Sequence, residues 1–129
     1  MPSYDAMLYD PPAAVASVRL RASSGGAIVS AVLLLIDSGA DITLLPRLAV
    51  EQLGVPLVGG DEYELVGFNG SKSRAQAVDL DMIFLNRAYR GRYLLIDDER
   101  GVLGRDVLAS VCLILNGPRQ EWLEQLPTS

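Results

Sequence analysis

Residues 31–45 read "AVLLLIDSGADITLL". An almost unbroken apolar run ends in Asp37-Ser38-Gly39 and resumes at Ile42. A carboxylate at the lip of an apolar strand is expensive to bury unless it is hydrogen-bonded or used. An aspartate that activates water needs three things from its surroundings. A tight turn aims its oxygens away from the backbone, a glycine lets another backbone approach, and a small hydroxyl ties the turn down. "IDSGA" supplies all three. The tripeptide alone also fits an ordinary turn in which the aspartate bonds its own backbone. The apolar approach from both sides weighs against that plainer reading. So does a partial echo at 102–106, "VLGRD", again two apolar residues, a glycine and charged residues opening a helix.

At 129 residues, with 50% hydrophobic and 21% charged residues, the chain has the composition of one globular domain with a single core. Its net charge of −5 argues against a nucleic-acid-binding surface built on bulk charge. The basic residues are ten Arg and Lys72, and their one dense group, "RAYRGR" at 87–92, reads as a solvated hairpin end. Histidine is absent, which removes Ser-His and Cys-His nucleophilic pairs and His-containing metal sites. The single Cys112 lies in "VCLIL", which predicts a free, buried thiol and no intrachain disulfide. Any catalysis therefore rests on carboxylates, hydroxyls, Arg or Tyr. No basic segment followed by an apolar one opens the chain, so no secretory signal is read there. The longest apolar stretch, "AIVSAVLLLI", has ten residues. A membrane span needs about 20. These features predict a soluble, cytoplasmic protein with no membrane partner.

Along the chain, residues 1–12 read as an extended arm and 13–118 as the folded domain, with 119–129 a tail holding one helical turn at most. "AVASVRLRA" is a strand, with Val15, Val18 and Leu20 as its apolar positions, and "SSGG" at 23–26 turns it into the strand "AIVSAVLLLI". Pro46 suits the first position of a short helix that ends at Gly54. "YELVG" and "AQAVDLDMIF" predict a long hairpin around the polar tip "GFNGSKS", with Val78, Leu80, Met82 and Phe84 on one face. "YRGRYLLI" is a further strand, "VLGRDVLASV" a short strand, a glycine turn and a helix of two or three turns, and "CLILNG" a last strand. Six to eight strands and two short helices make the class mainly β.

This order of motifs resembles the retropepsin-like aspartic proteases, the half-size relatives of pepsin. The likeness runs from about Val15 to Pro118. Asp37-Ser38-Gly39-Ala40 matches the family's Asp-Thr/Ser-Gly-Ala/Ser/Thr, and Val102-Leu103-Gly104-Arg105-Asp106 matches its apolar-apolar-Gly-Arg-Asn/Asp signature. "LLPRLAVEQLG" is closer to the bacterial and cellular branch than to the retroviral one. The fold so implied is a single-lobe, closed β-barrel with a flap hairpin and one or two short helices.

The resemblance implies an aspartic endopeptidase that works as a homodimer on peptide or protein substrates, since the mechanism needs two aspartates and the chain carries one such motif. Each subunit would contribute Asp37 at a two-fold axis. Two carboxyls within hydrogen-bonding distance share one proton, and the ionised member takes a proton from a water that attacks the peptide carbonyl. No metal or cofactor is implied. Ser38 would bond across the two-fold, and Gly39 would meet substrate backbone. Asp41 and Arg105 would pair as structural support, beside Gly104 and Asp106. Asp106 also fits a plain acid in a helix's first turn. Gly67, Phe68, Asn69 and Gly70 would form the flap tip that closes over the peptide. Ala40 offers no hydroxyl to the aspartate, which predicts a milder acid optimum than pepsin-like enzymes show. A pH–rate profile peaking as low as theirs would exclude that expectation. Retroviral members interleave N- and C-terminal strands at the dimer interface; here "CLIL" fits an interface, and Trp122 and Leu123 fit either an interface or packing within the chain. Two rivals stand beside this reading. One is a catalytically silent peptide-binding or dimerisation module on the same fold. The other is a phosphotransfer enzyme, disfavoured because position 39 is Gly rather than a second acid and the βαβ units such sites sit on are missing.

Overall fold

The alternation in "AAVASVRLR" sets the first wall of the core. Strand β2 (Ala13–Arg21) turns Ala14, Ala16, Val18 and Leu20 inward, all less than a tenth exposed. Val15, expected on that face, is one residue out of phase with Val18 and lies on the opposite side. In the computed structural model, which describes residues 2–58, 63–66, 70 and 72–126, β2 forms a hairpin with β3 (Ile28–Ile36). Their register jumps between Val18 and Leu20, where Ala31 takes φ 57°. Such a bulge increases the local twist, which helps a sheet to curl closed.

Eleven strands and two helices are found among the described residues, against the six to eight strands expected. β9 (Gly101–Leu103) is the short strand expected at "VL"; the strands not expected are β1 (Tyr4–Asp5) and β4 (Leu44–Pro46), too short to carry a period-2 signal, and the four-residue pieces Lys72–Ala75 and Glu121–Glu124. β9 pairs in parallel with β3 and antiparallel with β4, and β4 pairs in parallel with β8 (Arg87–Ile96). β8 pairs with β7 (Ala77–Phe84), which returns to β2. The six strands β2-β3-β9-β4-β8-β7 thereby close into a barrel. Gly101 makes the crowded part of this closure possible. A Cβ there would lie 2.1 Å from the Leu44 carbonyl oxygen and 2.6 Å from Leu34, so only glycine lets β9 thread between β3 and β4.

The interior is filled by Val18, Leu20, Leu34, Leu45, Val78, Leu80, Met82, Phe84 and Leu103, each at most 2% exposed. Each fully buried side chain of this kind contributes about 2 kcal/mol. Helix α1 (Arg47–Leu53) begins one residue later than expected, with Pro46 at its N-cap, and ends at Gly54 in the left-handed conformation. Helix α2 (Arg105–Leu108) has a single turn rather than two or three.

Three further expectations are corrected. The hairpin partner of β5 (Tyr63–Val66) is the polar β6 (Lys72–Ala75), whereas β7 belongs to the barrel. Main-chain pairing needs no apolar alternation, so "KSRA" pairs as well as an amphipathic stretch would. The tail forms a strand, β11 (Glu121–Glu124), antiparallel to β10 (Leu113–Asn116), instead of a helical turn. Cys112 is exposed rather than buried, because it precedes a strand that the barrel does not enclose. Among the described residues no helix is long and apolar enough to cross a membrane.

Candidate functional site

β3 delivers Asp37 to the mouth of the barrel. The Asp37 N–H donates to the Leu103 carbonyl at 3.1 Å, prolonging the parallel β3–β9 pairing by one step. The chain then turns sharply, with the Ala40 N–H bonded to the Asp37 carbonyl at 3.2 Å. The Gly39 N–H donates to Asp37 Oδ1 at 2.9 Å, so the carboxylate curls back over its own turn. Asp37 and Ala40 are half-buried, and Ser38 and Gly39 are exposed. No ion pair to Asp37 is found among the described residues.

What holds this turn from outside comes from the second motif. The Arg105 N–H donates to the Ala40 carbonyl at 2.8 Å, and Arg105 Nη1 donates to the Ser38 carbonyl at 3.0 Å. The same guanidinium pairs with Asp41 on the surface. Gly104 is pressed against the strand after the turn, where a Cβ would stand 2.7 Å from the Ile42 carbonyl carbon. Those neighbours are backbone and have no room to retreat, so the close approach of the two motifs demands glycine.

Asp106 and a residue that sequence reasoning missed, Thr43, complete the link. Thr43 is fully buried. Its hydroxyl donates to Asp106 Oδ1 at 2.7 Å and accepts the Gly104 N–H at 3.0 Å, while its own N–H donates to Asp106 Oδ2 at 2.9 Å. This closed set ties the strand that leaves the turn to the first turn of α2. A signal was present in "DITLL": a hydroxyl inside an apolar run must find partners when buried.

The two motifs are thus brought together, and the candidate flap is described only in part. β5 and β6 pair as an antiparallel hairpin. At its tip Gly70 is exposed with φ 79°, whereas Gly67, Phe68 and Asn69 lie outside the described residues.

The arrangement offers one half-exposed carboxylate per chain. The other acids of the region are engaged, Asp41 with Arg105 and Asp106 with Thr43. Neither is free to serve as a second acid. Two cavities of about 650 and 620 Å³ lie elsewhere, and no residue of the 37–41 turn lines either. Among the described residues, no cluster of three His, Cys, Asp or Glu side chains is positioned to hold a metal ion.

A second aspartate lies deep in the barrel wall. Asp81, 2% exposed, accepts from Arg21 at 3.0 Å, Arg90 at 3.0 Å and Ser23 at 3.1 Å. The Arg90 guanidinium foremost, with Arg21 and Ser23 behind it, holds its carboxyl down at about 2 against the opposing push of burial. The "RAYRGR" segment opens β8 directly after the Leu85-Asn86 turn, so it is the exposed hairpin end expected, with its arginines paired to acids. Arg90 pairs with Asp81, Arg92 with Asp79 and Arg87 with Glu124.

No family model matches the chain, and no curated protein matches it by sequence. Among solved structures, EIAV protease complexed with the inhibitor HBY-793 superposes on 75% of this chain and 86% of that one. The TM-score is 0.55 and the sequence identity 21%. The likeness is one of fold: a retropepsin-like, single-lobe β-barrel.

Proposed function

We propose that the chain is one half of a homodimeric aspartic endopeptidase in which Asp37 from each of two copies activates a water against a peptide bond. One observation carries this reading. A half-exposed carboxylate is suspended at a strand end by two separate motifs, in a retropepsin-like barrel, with its neighbours Asp41 and Asp106 already engaged. That rigid suspension is what general acid–base catalysis requires of an acid held to a narrow position. In a single chain Ser38 and Gly39 of the Asp37 turn are exposed, and neither of the two cavities described above reaches it. A second copy would supply both the missing acid and the opposite wall of a substrate cleft.

In the dimer the two carboxyls share one proton. The ionised one accepts a proton from water, the protonated one polarises the substrate carbonyl, and no covalent intermediate forms. Ser38 and Gly39, both exposed, face outward where the second copy and the substrate backbone would meet them. The β5–β6 hairpin acts as the flap, and Gly67, Phe68, Asn69 and Gly70, which join its two strands in sequence, are the residues expected to meet the peptide. The segment Leu44–Gly54 aligns the protein with the bacterial and cellular members of the family.

A peptide-library cleavage assay between about pH 3 and 7, spanning the carboxyl range, tests this reading. Cleavage by the native chain and none by Asp37→Asn is the expected result. Peptide binding without cleavage by the native chain would replace it with the silent-module reading.

A further inference from the structure

The cavity of about 650 Å³ lies between the N-terminal arm and the outer face of the barrel wall. β2 alternates strictly, and the residues it turns away from the core, Val15, Ser17 and Arg19, line this cavity. Ile83 of β7, the register partner of Arg19, lines it too, as does Trp122, the one tryptophan of the chain. The size is that of a small-molecule site. In a chain of net charge −5, the cavity sets two arginines, Arg19 and Arg100, against one acid, Asp5.

Neither arginine is fully matched by the protein. Asp5 Oδ1 accepts the N–H groups of Met7 at 2.8 Å and Leu8 at 3.1 Å, which closes a turn in the arm. Oδ2 alone is left for Arg100, whose Nη2 donates to it at 3.0 Å. The Nε and Nη2 groups of a guanidinium point the same way, spaced for the two oxygens of one carboxylate. Arg92 shows the completed form, with Nε on Asp79 Oδ1 at 2.9 Å and Nη2 on Oδ2 at 3.2 Å. In Arg100 that edge is half used, and its Nε is buried with no hydrogen-bond partner among the described residues. A buried donor without an acceptor is costly. The Arg19 guanidinium pairs with no acid among the described residues. The neighbouring cavity of about 620 Å³ shares Arg100 but sets Asp97, Asp98 and Glu99 beside it and Arg47, so its charge has the opposite sign.

We propose that the cavity beneath the arm binds a small organic acid, a monocarboxylate on an aromatic or branched aliphatic body, with its carboxylate between Arg100 and Arg19. Charge and wall chemistry select this class. Asp5 cancels one of the two positive charges, so a single negative charge balances the site and a phosphate dianion exceeds it. Val15, Ile83 and Trp122 offer apolar surface that an inorganic anion leaves unfilled. The Trp122 indole N–H is already spent on the Val15 carbonyl at 3.0 Å, so this side chain offers a ligand its ring rather than a donor. No residue of the 37–41 turn lines the cavity, so the site goes beyond the proposed endopeptidase and does not depend on it.

The test titrates the full chain with phenylbutyrate, read by Trp122 fluorescence and by calorimetry. A Kd at or below about 1 mM is expected. The neutral phenylbutyramide and inorganic phosphate should each bind at least about tenfold more weakly. Arg19→Gln, at an exposed position of β2, should weaken the acid at least about fivefold with no change in melting temperature, and Arg100→Gln should weaken it as much or more. Asp5→Asn keeps the oxygen that accepts the Met7 and Leu8 N–H groups and removes the competing charge. It should tighten binding about threefold, a direction that loosening of the arm would not produce. Equal binding of acid and amide would mean a cavity that ignores charge and would overturn the inference. Phosphate binding as tightly as the acid would overturn the ligand class. No binding of phenylbutyrate, or binding indifferent to both arginine substitutions, would overturn the site.

Discussion

Asp37 and Asp81 belong to the same barrel and are treated in opposite ways. Asp81 is enclosed and saturated, with two guanidiniums and a hydroxyl filling its oxygens. Asp37 is half open, accepts one turn N–H and has no cation among the described residues. A buried carboxylate with both oxygens bonded by cations is a structural element, held in the charged form. A carboxylate whose backbone is clamped while its oxygens are left under-bonded is what the proposed endopeptidase would require. The turn is held by contacts around it, from the Leu103 carbonyl, the close-packed Gly104 and both the N–H and the guanidinium of Arg105.

Four substitutions bear on this contrast. Asp37→Asn carries the largest effect, a loss of peptide cleavage of at least about 1,000-fold with an unchanged melting temperature, measured by steady-state kinetics and calorimetry. Unfolding of that variant would mean that Asp37 is structural, like Asp81. Gly104→Ala comes next, at about 3 kcal/mol of stability, because its Cβ would stand 2.7 Å from the immovable Ile42 backbone. Denaturant unfolding reads the loss, and activity should fall with it as the turn loosens.

Asp81→Ala should cost about 2 kcal/mol. The lost acceptor is buried, but side chains of Arg21 and Arg90 are 36% and 72% exposed and keep much of their hydration. Cleavage measured well below the melting temperature should be unaffected. The acid limb sharpens this prediction. Asp81 sits at about 2 when folded, below its ordinary 3.8, so its stabilisation is complete above about pH 4 and disappears as pH falls through 2. The stability gap between native protein and Asp81→Ala should therefore close over that interval. A gap independent of pH would mean packing, and not charge, accounts for it. Asp41→Ala is the smallest, below about 0.5 kcal/mol, since its side chain and that of Arg105 are 85% and 54% exposed. A larger loss would show that the Arg105 link to Ser38 depends on Asp41.

Much of the site was legible because its parts are local. "IDSGA" and "VLGRD" each specify a turn through neighbouring residues, and the hydrogen bonds of Asp37 to Gly39 and of Val107 to Gly104 stay within a few positions. Thr43 was passed over because a threonine in "ITLL" carries no mark of its partners, which lie 61 and 63 positions away. Asp81 was missed for the same reason: alternating "DLDMIF" predicts its side chain outward, and only the pairing of β7 between β2 and β8 sets arginines on both sides of it. Trp122, open to either packing or interface, donates to Val15 across the fold and stacks obliquely near Phe84 at 6.0 Å.

The amino-acid order by itself determined the mainly β class, the first hairpin, the inward face Val78-Leu80-Met82-Phe84 and the two glycine-bearing motifs. Each of these is written in periodicity or turn chemistry within one continuous stretch of sequence. Tertiary structure alone decided that β9 threads between β3 and β4, that Asp81 is caged while Asp37 is half open, and that the arm lies along β11. Those outcomes depend on which strands become neighbours, and hydrogen-bond pairing between distant segments leaves no periodic trace in either one.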